Sequence, residues 1–348
     1  MTNLRLATDA DDAVLRELMR SNGMATWVEM AIEREPSFFA GKKFCGEEWA
    51  VIAEEASEIV GMYTAAVRPM HVSGKPERLG YLGGLRVSPN HRHRIRHLRQ
   101  GYASIRPLAP ATGTVPWWFT VVAVDNVAAT RLLESGLPGL PSYQQLGEYV
   151  MFGLPTSRGK RHGLWRRAGE ADLEAVVAFH NTHAQRFEFA PVLDESGVRC
   201  VGLKHFFVLE IAGALRGVVA LWDQRAFKQI VARRYRRPIG TLLPAYNLYA
   251  KLFQRIPLPR EGQALDQTFM AFLALAEDEL PRSRAVLGDL LSHCTTPVAS
   301  VGLHVEHALI EALEEFKPMR YPARVYAVTF DGPPPASVRP VQPEAALL

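Results

Sequence analysis

No run in this 348-residue sequence approaches the roughly 18–20 consecutive apolar residues of a membrane span, and its mean hydropathy is −0.04. The first residues, Met1 to Leu18, carry acids and no apolar h-region, so a secretory signal peptide is not expected. Cysteine is scarce. Cys45, Cys200 and Cys294 lie far apart, form no CxxC and match no zinc spacing. That excludes a disulfide scaffold and a zinc module, and it points to a reducing, cytoplasmic setting with structural thiols and no metal. A large charge of one sign is also missing: 40 Lys+Arg against 36 Asp+Glu leave only +4. With 48% hydrophobic and 22% charged residues the composition is ordinary globular, which excludes disordered, collagenous and coiled-coil classes. The length suits two domains and a core that needs no covalent staple.

Leu154 to Lys160 is polar, with Pro155 and Gly159, and reads as a linker. It divides the chain into residues 1–155, a linker at 156–162, a second domain at 163–331 and a proline-rich tail at 332–348. The tail has little to bury and is expected to be extended or disordered. In the first part, Leu4–Ala7 reads as a strand and Thr8–Asp11 as a helix start with acids in its first turn. Trp49–Glu54, Ile59–Val67 and Leu79–Val87 read as strands. Ile95, Leu98, Tyr102 and Ile105 fall on one helical face. Trp117–Val124 is a buried strand, Asp125-Asn126 caps a helix through Leu133 that Gly136 ends, and Gln145–Leu154 is a last strand. The second part repeats this order. Arg166 to Leu173 echoes Arg5 to Asp12, Phe206–Ile211 and Leu215–Trp222 form a hairpin, and Phe269–Ala276, Val298–Leu303 and Ala323–Phe330 are strands. Helices fall near 282–291 and 307–315. One element order in two halves predicts an internal duplication.

The basic residues are clumped at His91–His97, Arg158–Arg167 and Arg233–Arg237. Clumped arginine suits phosphate, on a cofactor or on nucleic acid. In Gly80-Tyr81-Leu82-Gly83-Gly84-Leu85-Arg86-Val87-Ser88-Pro89-Asn90-His91-Arg92 a strand ends in a Ser-Pro turn and leads into an arginine-rich helix start. Backbone N–H groups and the positive dipole end gather there, so an anion fits, with bidentate arginine contacts to a pyrophosphate. The same residues also fit a surface helix with solvated basic side chains.

Leu85-Arg86-Val87-Ser88-Pro89 followed by Arg92 resembles the acyl-CoA motif of the GNAT family of N-acyltransferases: a strand, Val-x-Pro, then [Gln/Arg]-x-x-Gly-x-[Gly/Ala]. Leu4 to Asp12 resembles that family's opening strand and helix, and Val124 to Gly136 its Asn-x-x-Ala-x-x-Leu-[Tyr]-Glu helix. The three blocks span most of residues 3–154, while the second half is similar by element order alone. The resemblance implies an α/β (α+β) fold of two tandem GNAT-like domains, each a mixed, splayed sheet flanked by helices. It implies an N-acyltransferase whose co-substrate is acetyl-CoA or another acyl-CoA, with pantetheine between strands 79–87 and 117–124. Backbone N–H groups of Leu85, Arg86 and Val87 would polarise the thioester carbonyl, and Arg92, His93, Arg94, Ile95, Arg96, His97 and Asn126 would complete the cofactor site. Tyr81 is the candidate base, with Glu77 behind it and a packed aromatic as the plain alternative; strand alternation puts Tyr81, Gly83, Leu85 and Val87 on one face. Three departures stand against activity. The family's glycines fall at Ile95 and His97, where a branched Ile95 crowds the pyrophosphate, and Leu133 replaces the general-acid tyrosine.

In the second half, Ala276 to Arg282 has no glycine and places acids where a pyrophosphate would sit, so that half is expected to share the fold without binding CoA. His180-Asn181-Thr182-His183 and His304-Val305-Glu306-His307 have a metal-like spacing but no third ligand, and read as cap or surface histidines. Trp117-Trp118 reads as core. Tyr235, Tyr246 and Tyr249 among basic residues read as a basic loop between strands; nucleic acid is not expected as a partner. Two functions stay open: an acyl-CoA-dependent N-acyltransferase acting on a small-molecule or peptide amine, and a non-catalytic GNAT-like module that binds a ligand or protein.

Overall fold

The computed structural model describes residues 3–25, 27–44, 46–91, 95–105, 117–276, 283–332 and 339–348. Alternating and β-branched segments give the first-half strands β1 (Asn3–Leu6), β2 (Met24–Ala25), β3 (Val28–Glu33), β4 (Glu47–Glu55), β5 (Glu58–Val72), β6 (Lys75–Val87), β7 (Trp117–Ala123) and β8 (Ser142–Pro155). Between them lie α1 (Asp12–Ser21), α2 (Ile95–Ala103) and α3 (Val127–Leu133). The second half contributes β9 (Trp165–Arg167), β10 (Phe206–Ile211), β11 (Ala214–Trp222), β12 (Gln229–Tyr235), β13 (Gln267–Leu275), β14 (Val298–His304) and β15 (Met319–Thr329). Its helices are α4 (Leu173–Ala184), α5 (Glu195–Val201), α6 (Ile239–Leu252), α7 (Ser283–Leu291) and α8 (Leu309–Glu314).

Among the described residues a twelve-stranded sheet runs in the order β1-β4-β5-β6-β7-β15-β8-β14-β13-β11-β10-β9. The five strands at one end mirror the five at the other: an edge strand, two antiparallel neighbours, then a parallel pair, β6–β7 or β13–β14. At the centre the halves exchange their last strands. β15 lies beside β7, and β8 lies beside β14. The core follows suit: Met70, Leu79, Trp117 and Phe119 share one buried cluster with Phe189, Phe206, Trp222 and Phe272.

The echo between Arg5–Asp12 and Arg166–Leu173 has a structural counterpart. Arg5 donates to both Asp11 carboxylate oxygens, each at 2.8 Å, and to Glu54 at 2.7 Å. Arg166 grips Asp172 in the same two-pronged way and also reaches Glu210. Asp11 and Asp172 each accept the backbone N–H three residues earlier, from Thr8 and Gly169, which fixes the entry into the first helix of each half.

Three expectations are corrected. Residues 339–348 are no loose tail: Val341, Ala345, Ala346 and Leu347 are buried in the main core, and the Tyr149 hydroxyl donates to the Pro343 carbonyl at 2.9 Å. The prolines before them hid the apolar residues that follow. None of the three tyrosines is in a basic loop: Tyr235 ends strand β12 and is buried, and Tyr246 and Tyr249 sit on helix α6. His180 is neither a cap nor a surface residue: it is buried, its ring nitrogens lie 3.2 Å from the Phe272 carbonyl and 3.1 Å from the Pro191 carbonyl, and burial lowers its pKa to about 4. His304 and His307 are not surface residues either: both are buried, and His307 Nδ1 accepts the Leu309 N–H. Trp117 and Trp118 are core, as read. A small sheet in the order β12-β3-β2, with no signal in the sequence, ties the two halves together through the β12–β3 pairing.

Candidate active site

Strands β6 and β7 pair in parallel only at Gly80↔Trp118 and Tyr81↔Phe119, then diverge. Gly80 permits that close approach, since a Cβ there would lie 2.0 Å from the Trp118 ring. Past Tyr81 the gap holds a cleft of about 270 Å³ whose wall includes Leu82, Gly84, Leu85, Tyr102, Val122 and Leu133. The β5–β6 register shifts here. Gly83 faces Thr64 and Arg86 faces Met62, so Gly84 and Leu85 together stand opposite Tyr63. This is a β-bulge, and Gly84 takes φ +60° within it.

The bulge changes the face reading. Cross-strand partners share a face and Thr64 and Met62 lie two apart, so Tyr81, Gly83 and Arg86 face one way. Leu85 and Val87 do not follow Tyr81, because one extra residue inverts the alternation.

On Tyr81's side of the sheet lies a second cavity of about 90 Å³. Thr64, Arg68, Tyr81, Gly84 and Arg86 contribute to it from the first half, Gln224 and Lys228 from the second, and residues 346–348 from the docked C-terminal segment. The two cavities share Ile32, Tyr81, Gly84 and Arg86. The Tyr81 ring packs on Phe119 at 5.1 Å and lies over Gly83, where a Cβ would come 3.0 Å from its hydroxyl. Arg68 is buried. Its Nη2 donates to the Leu347 carbonyl at 3.2 Å, while Nε and Nη1 have no partner among the described residues. Arg86 donates Nη1 to the Leu85 carbonyl at 2.9 Å, and its Nε is likewise unpartnered. Burial pushes the Arg86 guanidinium below its ordinary value; Tyr81 opposes that shift and Arg34 adds to it. Arg34 is balanced by Glu48 at 2.7 Å. The second cavity is therefore a buried, cation-rich chamber beside an apolar cleft.

No protein-family model and no curated protein sequence matches the chain. Solved structures do. N-myristoyltransferase of Saccharomyces cerevisiae, solved with bound myristoyl-CoA, aligns over 96% of this chain and 84% of its own, with TM-score 0.58 and 10% identity. A GCN5-related N-acetyltransferase from Anabaena variabilis ATCC 29413 aligns over 94% of this chain and 72% of its own, with TM-score 0.52 and 11% identity. The chain has the GNAT fold.

Both halves of this GNAT fold keep the bulge. In β13, Ala271 faces Ala220 and Ala274 faces Val218, so Phe272 and Leu273 are the extra pair, and Phe272 takes φ +54° where Gly84 takes φ +60°. Here the gap is filled from within. Glu344 accepts the Phe272 N–H at 2.7 Å and the Ala346 N–H at 3.0 Å. Burial raises the Glu344 pKa against the pull of those two donors. The remaining space is about 30 Å³, walled by His180, Phe272 and Gln342 to Glu344. The acids thought to repel a phosphate, Glu277 to Glu279, lie outside the described residues.

Of the residues singled out in the first half, Tyr81, Leu85, Arg86, Val87 and Asn126 all line the cleft. Leu85 is exposed at the bulge, and Asn126 spends its side-chain oxygen on capping α3, accepting the Ala129 N–H at 3.2 Å. Arg92, His93 and Arg94 lie outside the described residues. Ile95, Arg96 and His97 are described by backbone only and form the first turn of α2. Leu133 lines the cleft and is buried with Val122 and Tyr326. Packed against that cluster is a pair the sequence reading missed: the Tyr102 and Tyr143 hydroxyls lie 2.5 Å apart in the cleft wall. Burial raises both pKa values, more strongly for Tyr143, so both hydroxyls stay protonated.

Proposed function

We propose that the protein is an acyl-CoA-dependent N-acyltransferase, taking acetyl-CoA or another acyl-CoA as donor and the amine of a small molecule or peptide as acceptor. The observation that carries this reading is the meeting of two cavities at one strand bulge, where Tyr81, Gly84 and Arg86 of β6, with Ile32 of β3, line both. In this reading the pantetheine arm lies between β6 and β7 and the thioester carbonyl faces the bulge. The amine enters from the cation-rich side and attacks the carbonyl carbon. The resulting oxyanion accepts a backbone N–H at Gly84–Leu85, as the Glu344 carboxylate does at the matching bulge. Collapse breaks the C–S bond and releases the thiolate. The Tyr81 hydroxyl, at the junction, relays the amine proton: its oxygen accepts that proton as its own O–H proton passes to water. Tyr143, held by Tyr102 beside Leu133, supplies the hydrogen bond to the leaving sulfur that Leu133 cannot give. Arg92 and Arg96 take the pyrophosphate in place of the family's glycines, with His93, Arg94, Ile95 and His97 around it. The unpartnered Arg68 and Arg86 nitrogens favour an acceptor whose amine sits beside a carboxylate or another anion.

The test has two stages. In a thermal-shift screen, acetyl-CoA, longer acyl-CoAs or CoA should raise the melting temperature; saturation at about 100 times Kd adds about 2.7 kcal/mol. CoA release with a panel of amines, anionic and neutral, then reports transfer. Tyr81→Phe should lower kcat about a hundredfold with the KM for acyl-CoA unchanged. Absence of any shift with every CoA species would instead favour a non-catalytic GNAT-like module, the reading that Ile95, His97 and Leu133 support.

A further inference from the structure

We propose that helix α6 and its flanks form a docking surface for an anionic lipid bilayer. Leu242, Leu248, Tyr249, Leu252 and Phe253 are 43–69% exposed, and they follow one another along a single stretch of helix. At about 100° per residue they occupy one stripe roughly 140° wide. The opposite side, with Leu243 and Ala250, is buried against the protein. Thr241, in the first turn, is the one polar residue in this sector. A water-facing helix normally carries polar residues on its outer side; an apolar stripe there marks an interaction site.

The surroundings say what covers it. Exposed Arg234, Arg236 and Arg237 stand at the N-terminal end of α6, and Arg260 lines the same open surface groove as they do. Exposed Lys251 and half-buried Arg255 stand at the other end, where Arg158 also donates to the Phe253 and Gln254 carbonyls. Trp27, 39% exposed, joins the N-terminal end: its carbonyl accepts the Arg236 N–H and its ring lies 6.3 Å from Tyr235. The nearby acids are engaged, Glu29 with Arg234 and Glu261 with the Tyr235 N–H. An apolar stripe with basic ends and an aromatic at its border is the pattern of a helix lying in the plane of a membrane interface. No helix among the described residues is long and apolar enough to cross a membrane. Pairing of two copies through this stripe is the weaker fit, because a two-fold axis would bring basic end against basic end.

The experiment is co-sedimentation of the full chain with phosphatidylcholine vesicles and with vesicles that also contain phosphatidylglycerol. The chain should sediment with the anionic vesicles only, and less so as salt rises. Leu248→Asp combined with Leu252→Asp should lower partitioning by about tenfold or more, and so should Arg236→Glu combined with Arg237→Glu. All four side chains are exposed, so the unfolding midpoint should stay that of the unaltered chain. The proposal is overturned by no binding to anionic vesicles, by equal binding to both kinds, or by binding that neither double variant weakens. It is also overturned if the chain dimerises through this stripe, seen as a dimer that Leu248→Asp disperses.

Discussion

A Cβ at Gly84 would meet the Thr64 hydroxyl at 2.7 Å and its methyl at 3.0 Å, in a backbone already at φ +60°. Phe272 adopts nearly the same φ in the other half, so the fold itself admits a side chain at this point. What glycine leaves is room between the two cavities. Gly84→Ala should therefore fold, at a cost of about 1–2 kcal/mol for the left-handed conformation, while acyl transfer falls far more than donor binding does. Calorimetry with acyl-CoA alongside initial rates separates the two, and equal losses in both would remove the bulge from the chemistry. That the strand carrying Tyr81, Leu85, Arg86 and Val87 borders a cleft was legible in the sequence, because a Gly-rich strand running into Val-x-Pro is a local pattern. The bulge was not: counting alternate residues assumes that none is extra, and one extra residue exchanged Leu85 for Arg86 on Tyr81's face. Nor was the Tyr102–Tyr143 pair, because two tyrosines on different elements carry no mark of their contact.

The connection into the second half is held by an element rather than left as a spacer. Asp289 on α7 is fully buried and accepts four backbone N–H groups, from His162, Gly163, Leu164 and Trp165, at 2.6–2.9 Å. Burial pushes its carboxyl up, but the four donors together outweigh that and leave it below the ordinary carboxylate range. Asp289→Ala strands those donors and should cost on the order of 3 kcal/mol or more. The lowered pKa gives a sign as well. Its stabilisation is in place above the unfolded carboxylate value near about 4 and is lost as pH falls through the lower folded value. Urea unfolding across acidic pH should show a slope that Asp289→Asn flattens; an identical slope in both proteins would mean another group carries it. Hairpins and amphipathic helices were readable here from spacing. Strand β12 was not, since Gln-Ile-Val-Ala-Arg-Arg-Tyr reads as a basic cluster until β3 of the other half pairs with it. Helix α6 was hidden for a related reason: Pro244 and an apolar outer face both run against the pattern of a surface helix.

At the scale of the whole molecule, an internal duplication can be seen in a sequence, but an exchange of strands between its copies cannot, because either arrangement has the same element order. The exchange decides whether the halves can live apart. Strand β8 belongs to the first half by sequence, yet it pairs with β14 on one side and β15 on the other, both from the second half. Strand β7 has full-length pairing only with β15, since its contact with β6 stops after Tyr81↔Phe119. The Phe119 and Phe189 rings stack across the same junction at 4.9 Å. A chain of residues 1–155 would thus keep β8 without either neighbour and expose two unpaired edges over apolar surface. It should aggregate or remain partly unfolded. Co-expression with residues 156–348 should recover a soluble complex, because the missing partners β14 and β15 then become available. Size-exclusion chromatography and thermal unfolding of the fragment, alone and co-expressed, check this. A soluble monomer of residues 1–155 that unfolds at the temperature of the whole chain would show that each half closes its own sheet, and that the central exchange is dispensable for folding.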